Sequence, residues 1–226
     1  MELKTIVPWG RSFDEYVEMF ALTSDSLTKK ILGCGDGPAS FNAELSEQGG
    51  NVVSVDPIYR YSAEQIRARI DEVYADVIQQ VSANRDDYVW RTIANVEALA
   101  EIRMNAMRRF LEDYSFAHAT GRYVNAALPT LPFGDREFDL ALCSHYLFLY
   151  SEHVDREQHI LSMKELCRVA KEVRVYPLLS LSTNEDSPHL GPVIRELESI
   201  GMDLSLIDVN YEFQKGATKM LVARHL

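Results

Sequence analysis

Residues 30–59, "KILGCGDGPASFNAELSEQGGNVVSVDPIY", decide the fold. "KIL" is a brief apolar run, and Gly33, Gly35 and Gly37 crowd the turn after it. "SFNAELSEQG" then reads as a helix closed by Gly49–Gly50, and "NVVSVD" is short and β-branched, as a buried parallel strand is. Strand, glycine turn, helix and strand make a βαβ unit. In an open sheet of such units a ligand binds beyond the carboxyl ends of the strands.

Three ligands compete for the turn. A nucleoside triphosphate loop needs G-x-x-x-x-G-K-[ST], and "GCGDGPAS" has neither the lysine nor the hydroxyl in place. A dinucleotide turn wants a third glycine for close packing of helix on strand, where this chain has Pro38. S-adenosylmethionine suits Gly33-x-Gly35-x-Gly37, because glycine backbone can approach a flat adenosine and its amino-acid tail and no phosphate calls for a cation. Asp56, ending the second strand, is placed to accept hydrogen bonds from two ribose hydroxyls.

Outward from this unit the chain alternates. Ser12 and Glu15 form a capping box ahead of "FDEYVEMFAL". Ile66, Ile70, Val73, Val77 and Val81 mark one amphipathic helix. Val89, Ile93, Val96, Leu99, Arg103, Met107, Phe110 and Tyr114 mark a second, running to about thirty residues. No strand separates them, so residues 61–117 read as a helical insertion or cap within a single domain spanning 1–226. Its apolar stripes suit a lid on the chain's own site or a homodimer contact equally. Strands are expected at "GRYVNAAL", "FDLALCSHYLFLY" and "KEVRVYPLL", with a closing hairpin through "QKGA" and Gly216. The expected class is α/β: a seven-stranded, mostly parallel sheet with helices on both faces, a C-terminal antiparallel hairpin and the insertion between the second and third strands.

Composition narrows the partners. The 226 residues are 46% hydrophobic and 25% charged, enough for a sizeable core, and a net charge of −11 opposes docking on a nucleic-acid backbone. Three cysteines without paired spacing, Cys34, Cys143 and Cys167, argue for a reducing, cytoplasmic setting and against a structural zinc site. No stretch approaches a membrane span, and no clustered carboxylates suggest a metal.

"LGCGDG", "VVSVDP", "LPTLPFGDREFDLALCSHYLF" and "MKELCRVAKEVRVYPL", followed by the closing hairpin, resemble the class I S-adenosylmethionine-dependent methyltransferases over residues 28–60 and 122–226. The resemblance implies methyl transfer to a small-molecule acceptor. It implies that Gly33, Gly35 and Gly37 line the methionine and ribose, Asp56 holds the ribose, Ile58 flanks the adenine and Leu128 meets the adenine edge through its backbone. Cys143 and Ser144 would border the cofactor, with His145 facing the acceptor. Two positions depart from the family pattern: Ile31 stands where an acid usually precedes the first glycine, and Ala127 where an aspartate often grips the adenine amino group. A non-catalytic binding or regulatory protein of the same fold is the alternative that Ile31 favours. A nicotinamide oxidoreductase is the other, opposed by Pro38.

His145 is placed to be a general base or a structural histidine, since methyl transfer can also run on alignment alone. Arg11 would pair with the methionine carboxylate if the first helix folds over the cofactor. Trp9, Phe13, Tyr16, Tyr59 and Tyr61 would wall the pocket or pack the core. Arg103, Arg108 and Arg109 in "RMNAMRRF" would draw an anionic acceptor or, as the better reading, form a solvated helix face. Cys143 has no neighbour in sequence to activate it as a nucleophile.

Overall fold

The computed structural model describes residues 7–225. The elements in chain order are α1 (Phe13–Met19), α2 (Ser24–Leu27), β1 (Lys30–Cys34), α3 (Phe41–Glu47), β2 (Asn51–Val55), α4 (Ala63–Ala83) and α5 (Val96–Ala117). There follow β3 (Tyr123–Val124), β4 (Phe138–Ser144), α6 (Arg156–Val169), β5 (Ala170–Tyr176), α7 (Leu190–Ser199), β6 (Met202–Asp208) and β7 (Lys219–His225). The capping box at α1 forms as the sequence implies: Ser12 Oγ accepts from the Glu15 amide, and the Glu15 carboxylate accepts from that of Ser12.

One seven-stranded sheet runs in the order β3-β2-β1-β4-β5-β7-β6. The first five strands pair in parallel, and β7 is antiparallel to both of its neighbours. This is the expected mostly parallel fold with its reversed last strand. The order reverses at β1, flanked by β2 on one side and β4 on the other, so a crevice opens above Cys34, Val55 and Ser144.

Alternation of side chains divides the core between the sheet's two faces. Ile31, Leu140, Leu142 and Val222 join α1 and α3 residues and the stripes of α4 and α5 on one face. Leu32, Ala141, Val173 and Leu221 pack on the other against Met163 and Leu166 of α6 and Val193 and Leu197 of α7. The apolar stripe expected on α4 is buried within the chain.

Three local expectations change. The second insertion helix starts at Val96, not Val89, because the Asn95 side chain caps it by accepting from the Ala98 amide. The backbone ahead of it is extended instead, with the Val89 amide donating to the Phe213 carbonyl at 2.8 Å and Lys215 to Asp87 at 2.9 Å. The loop between β6 and β7, residues 209–218, is therefore wider than a tight hairpin and is stitched to the insertion. The strand read at "GRYVNAAL" shrinks to Tyr123–Val124.

Candidate functional site

A cavity of about 410 Å³ lies above the carboxyl ends of β1, β2 and β4. Its floor is the glycine turn. Gly35 and Gly37 both have left-handed backbone, at φ +69° and +53°, which glycine adopts without strain. A β-carbon on Gly35 would sit 3.0 Å from Tyr146, so the turn also lacks space for one.

Asp56 closes the far side of the turn. Its carboxylate accepts from the Gly37 amide at 3.0 Å and the Ile58 amide at 2.9 Å, leaving two of roughly four lone-pair sites. Burial pushes it up to about 6 against the pull of those two hydrogen bonds. Asp36, inside the turn, is the residue that the sequence reading missed. It is 6% exposed and lines the cavity, with Tyr16 Oη donating to Oδ1 at 2.8 Å and Ser54 Oγ to Oδ2 at 2.5 Å. Burial first, and the Asp56 charge as well, push it up to about 7, although its hydrogen bonds to Ser54 and Tyr16 oppose the rise. Two acids held part-protonated at one cavity wall make a site in search of positive charge.

Gly35, Gly37, Asp56, Ile58, Leu128, Ser144, His145 and Arg11 meet at the cavity, as do Trp9 and Tyr16. The Leu128 carbonyl accepts from Gln158 Nε2 at 3.2 Å. Two expected site residues are not in the wall. A β-carbon on Gly33 would fall 1.8 Å from Asp36 Oδ2, so this glycine makes room for a carboxylate and not for a ligand. Cys143 is fully buried beside Cys34, its partner in the β1–β4 register, and the Cys34 thiol is pushed up by its hydrogen bond with Cys143 and by burial. Phe13 stacks on Phe41, Tyr61 is exposed, and Tyr59 packs beneath the turn with its hydroxyl donating to the Gly37 carbonyl at 2.7 Å.

His145 stands just past the end of β4 at φ +52°, a strained backbone for a residue with a β-carbon. Its amide donates to the Tyr176 carbonyl at 2.8 Å, and Nδ1 lies 3.0 Å from Ser144 Oγ. Burial, then the fields of Arg11 and Arg103, hold the imidazole well below its ordinary range. To act as a base at Nε2 it must donate from Nδ1 to Ser144 Oγ. Ring nitrogen-15 chemical shifts should show His145 neutral at pH 6, with Nδ1 as the protonated nitrogen. A ring titrating near 6.5 would place it in solvent.

The insertion supplies the roof. Val77 and Val81 of α4, Tyr88 of the segment between the two helices and Leu99 of α5 meet Phe213 and Gln214 from the β6–β7 loop, with Leu149, Tyr150 and Leu181 beside them. Arg103 does not join a solvated face. It is fully buried and ion-paired with Glu15, which also accepts from Tyr211 Oη at 2.6 Å. Arg108 and Arg109 remain at the surface, bonded to Asn105 and Glu47. Among the described residues no cluster of side chains could hold a metal, and no helix is long and apolar enough to cross a membrane.

No protein-family model matches the chain. The uncharacterized protein MJ0045 of Methanocaldococcus jannaschii is 31% identical over 225 residues, covering 99% of this chain and 98% of that one. Among solved structures, magnesium protoporphyrin IX methyltransferase of Synechocystis PCC 6803 with bound S-adenosylmethionine aligns at a TM-score of 0.49 and 12% identity, over 95% of this chain and 78% of that one. A putative S-adenosylmethionine-dependent methyltransferase of Methanococcus maripaludis aligns at 0.47 and 12% identity, over 94% and 83%. The PH0226 protein of Pyrococcus horikoshii OT3 aligns at 0.48 and 13% identity, over 94% and 89%.

Proposed function

The chain belongs to the family of the Methanocaldococcus jannaschii protein MJ0045, and we propose that it transfers a methyl group from S-adenosylmethionine to a small-molecule acceptor enclosed under the insertion. The observation that carries this reading is the pair of buried acids on a glycine cradle that lacks the lysine of a phosphate loop, opening into a cavity that the insertion lines. S-adenosylmethionine would supply a methyl group on a sulfonium, together with an ammonium and two ribose hydroxyls.

The residues fit that ligand. The free lone pairs of Asp56 would accept from the ribose hydroxyls. Ile58 would cover one face of the adenine and the Leu128 amide would meet its edge. Asp36 would face the ammonium, standing in for the acid absent at Ile31, whose side chain is buried in the core. Ser144 would border the methionine portion. On the other side, the roof residues would exclude water and hold the acceptor in line with the methyl group, and alignment with desolvation supplies most of the acceleration. His145, neutral and unprotonated at Nε2, would take the proton when the acceptor nucleophile carries one.

Calorimetric titration with S-adenosylmethionine and, separately, NADH tests the reading. Wild-type protein should bind S-adenosylmethionine alone, and Asp56→Ala should weaken it by roughly 10–100-fold, as loss of hydrogen bonds to a charged group does. Binding of NADH in its place would overturn the assignment. Formation of S-adenosylhomocysteine with any acceptor would exclude a purely regulatory role.

A further inference from the structure

The roofed half of the cavity holds a charge that the proposed methyl transfer does not use. Arg11 lines the wall, and among the described residues the one hydrogen bond that its side chain makes runs from Nη1 to the Trp9 carbonyl at 2.8 Å. Its Nε is buried without a partner among the described residues, and so are Nε and Nη2 of Arg103 behind it. Glu15 is the carboxylate set against these two guanidiniums, and its oxygens are already engaged by Arg103, Tyr211 and the Ser12 amide. Two cations against one anion leave one positive charge with unfilled donors, and a buried donor left unsatisfied is a costly arrangement that a native fold keeps for a reason.

The location of the charge narrows its purpose. The field of Arg11 falls mostly on His145, Tyr88, Tyr150, Tyr176 and Tyr211, around the His145 end of the site, and also on Tyr16, whose hydroxyl donates to Asp36. Burial and local hydrogen bonds act on Asp36 and Asp56, and the Asp56 charge acts on Asp36, but Arg11 acts on neither. The surrounding wall is apolar and aromatic: Trp9, Val77, Val81, Leu99, Leu149 and Phe213.

Resting on the methyltransferase reading, we propose that the acceptor is an apolar, aromatic-sized carboxylic acid, with its carboxylate gripped by Arg11 and backed by Arg103. A guanidinium presents paired donors to a carboxylate, and in a site screened from water that pairing is stronger than at the surface. The acid would then be anchored at one end, with its nucleophile held between His145 and the methyl group. The cofactor's own methionine carboxylate is the other source of the same chemistry.

The two sources separate by experiment. Full-length protein is titrated with S-adenosylhomocysteine, then, saturated with it, with benzoate, phenylacetate and their uncharged counterparts benzamide and phenylacetamide. Wild type should bind the acids at least roughly tenfold more tightly than the amides. Arg11→Met should abolish that preference while S-adenosylhomocysteine affinity stays unchanged, which also certifies the fold. Arg11→Lys keeps the charge without the fork and should retain an intermediate preference. Loss of S-adenosylhomocysteine affinity in Arg11→Met, with the acid preference intact, assigns the arginine to the cofactor and overturns the proposal. Equal binding of acids and amides, or no binding of either by wild type, overturns it too. Failure of wild type to bind S-adenosylhomocysteine at all would instead strike the methyltransferase reading.

Discussion

Arg103→Met should lower the stability of the folded protein by about 3–5 kcal/mol, because it strands the Glu15 carboxylate in the core. Arg103 is fully buried and Glu15 is 7% exposed, so water cannot replace the lost partner. Burial alone would raise the Glu15 carboxyl, but Arg103 and Arg11 outweigh it and hold it at about 2. The sign follows: a depressed carboxyl contributes stability that is present above its unfolded value near 4.5 and lost as the pH falls toward 2. In a domain of this size the substitution should lower the melting temperature by roughly 10 °C at pH 7. The double variant Glu15→Leu with Arg103→Met should recover only part of the loss, since it removes the ion pair but leaves the Arg11 guanidinium without the carboxylate it faces. Thermal unfolding of the four proteins of that cycle gives the coupling directly. A loss under about 1 kcal/mol for Arg103→Met would mean that the pair is solvated.

The second large effect is on pH. Asp36 is pushed up to about 7 and Asp56 to about 6, both mainly by burial, whereas an unfolded aspartate titrates near 3.9. Folding therefore takes up protons between pH 4 and 7, and the stability of the ligand-free protein should fall as the pH rises through that window. The size is on the order of 3–4 kcal/mol for each group at most, since one unit corresponds to about 1.4 kcal/mol. A cationic ligand acts in the opposite sense. It favours the ionised acids, so S-adenosylmethionine should bind more tightly as the pH is raised from 5.5 to 8, releasing protons as it does.

Asp36→Asn separates these effects. It removes the repulsion with Asp56 and should raise the melting temperature at pH 8, yet weaken S-adenosylmethionine and flatten the pH dependence of its affinity. Calorimetry in buffers of differing ionisation enthalpy reads the proton count. Affinity independent of pH in the wild type would show that Asp36 does not meet the cation.

The glycine turn, Asp56 and the mostly parallel strands were legible because they are local or periodic. Gly35 and Gly37 lie where backbone geometry demands them, and short apolar runs such as the β-branched "NVVSV" and "LALC" read as buried strands. Asp36 was within reach too: an aspartate between two left-handed glycines has a fixed direction, and Gly33 is bare to admit it. Gly33 and Cys143 were placed by motif position alone, which does not reveal whether a residue faces the cavity or the layer beneath it. Val89 and Ile93 continued a helical period, but the Val89 amide pairs with the β6–β7 loop and the helix waits for its cap at Asn95.

By itself the sequence determined the parallel sheet with its reversed last strand, the acid-ended glycine cradle and a helical insertion between β2 and β3. Each of these is written in the spacing of apolar residues and in the few places where only glycine or a cap fits. Tertiary structure alone decided that the insertion lines the same cavity, that Arg103 is turned inward onto Glu15, and that Arg11 shares the cavity wall with His145 and keeps a buried Nε without a partner among the described residues. Those facts depend on which groups meet across more than eighty residues of chain. Burial and the balance of charge belong to that meeting, and neither has a signature in the spacing of one strand or helix.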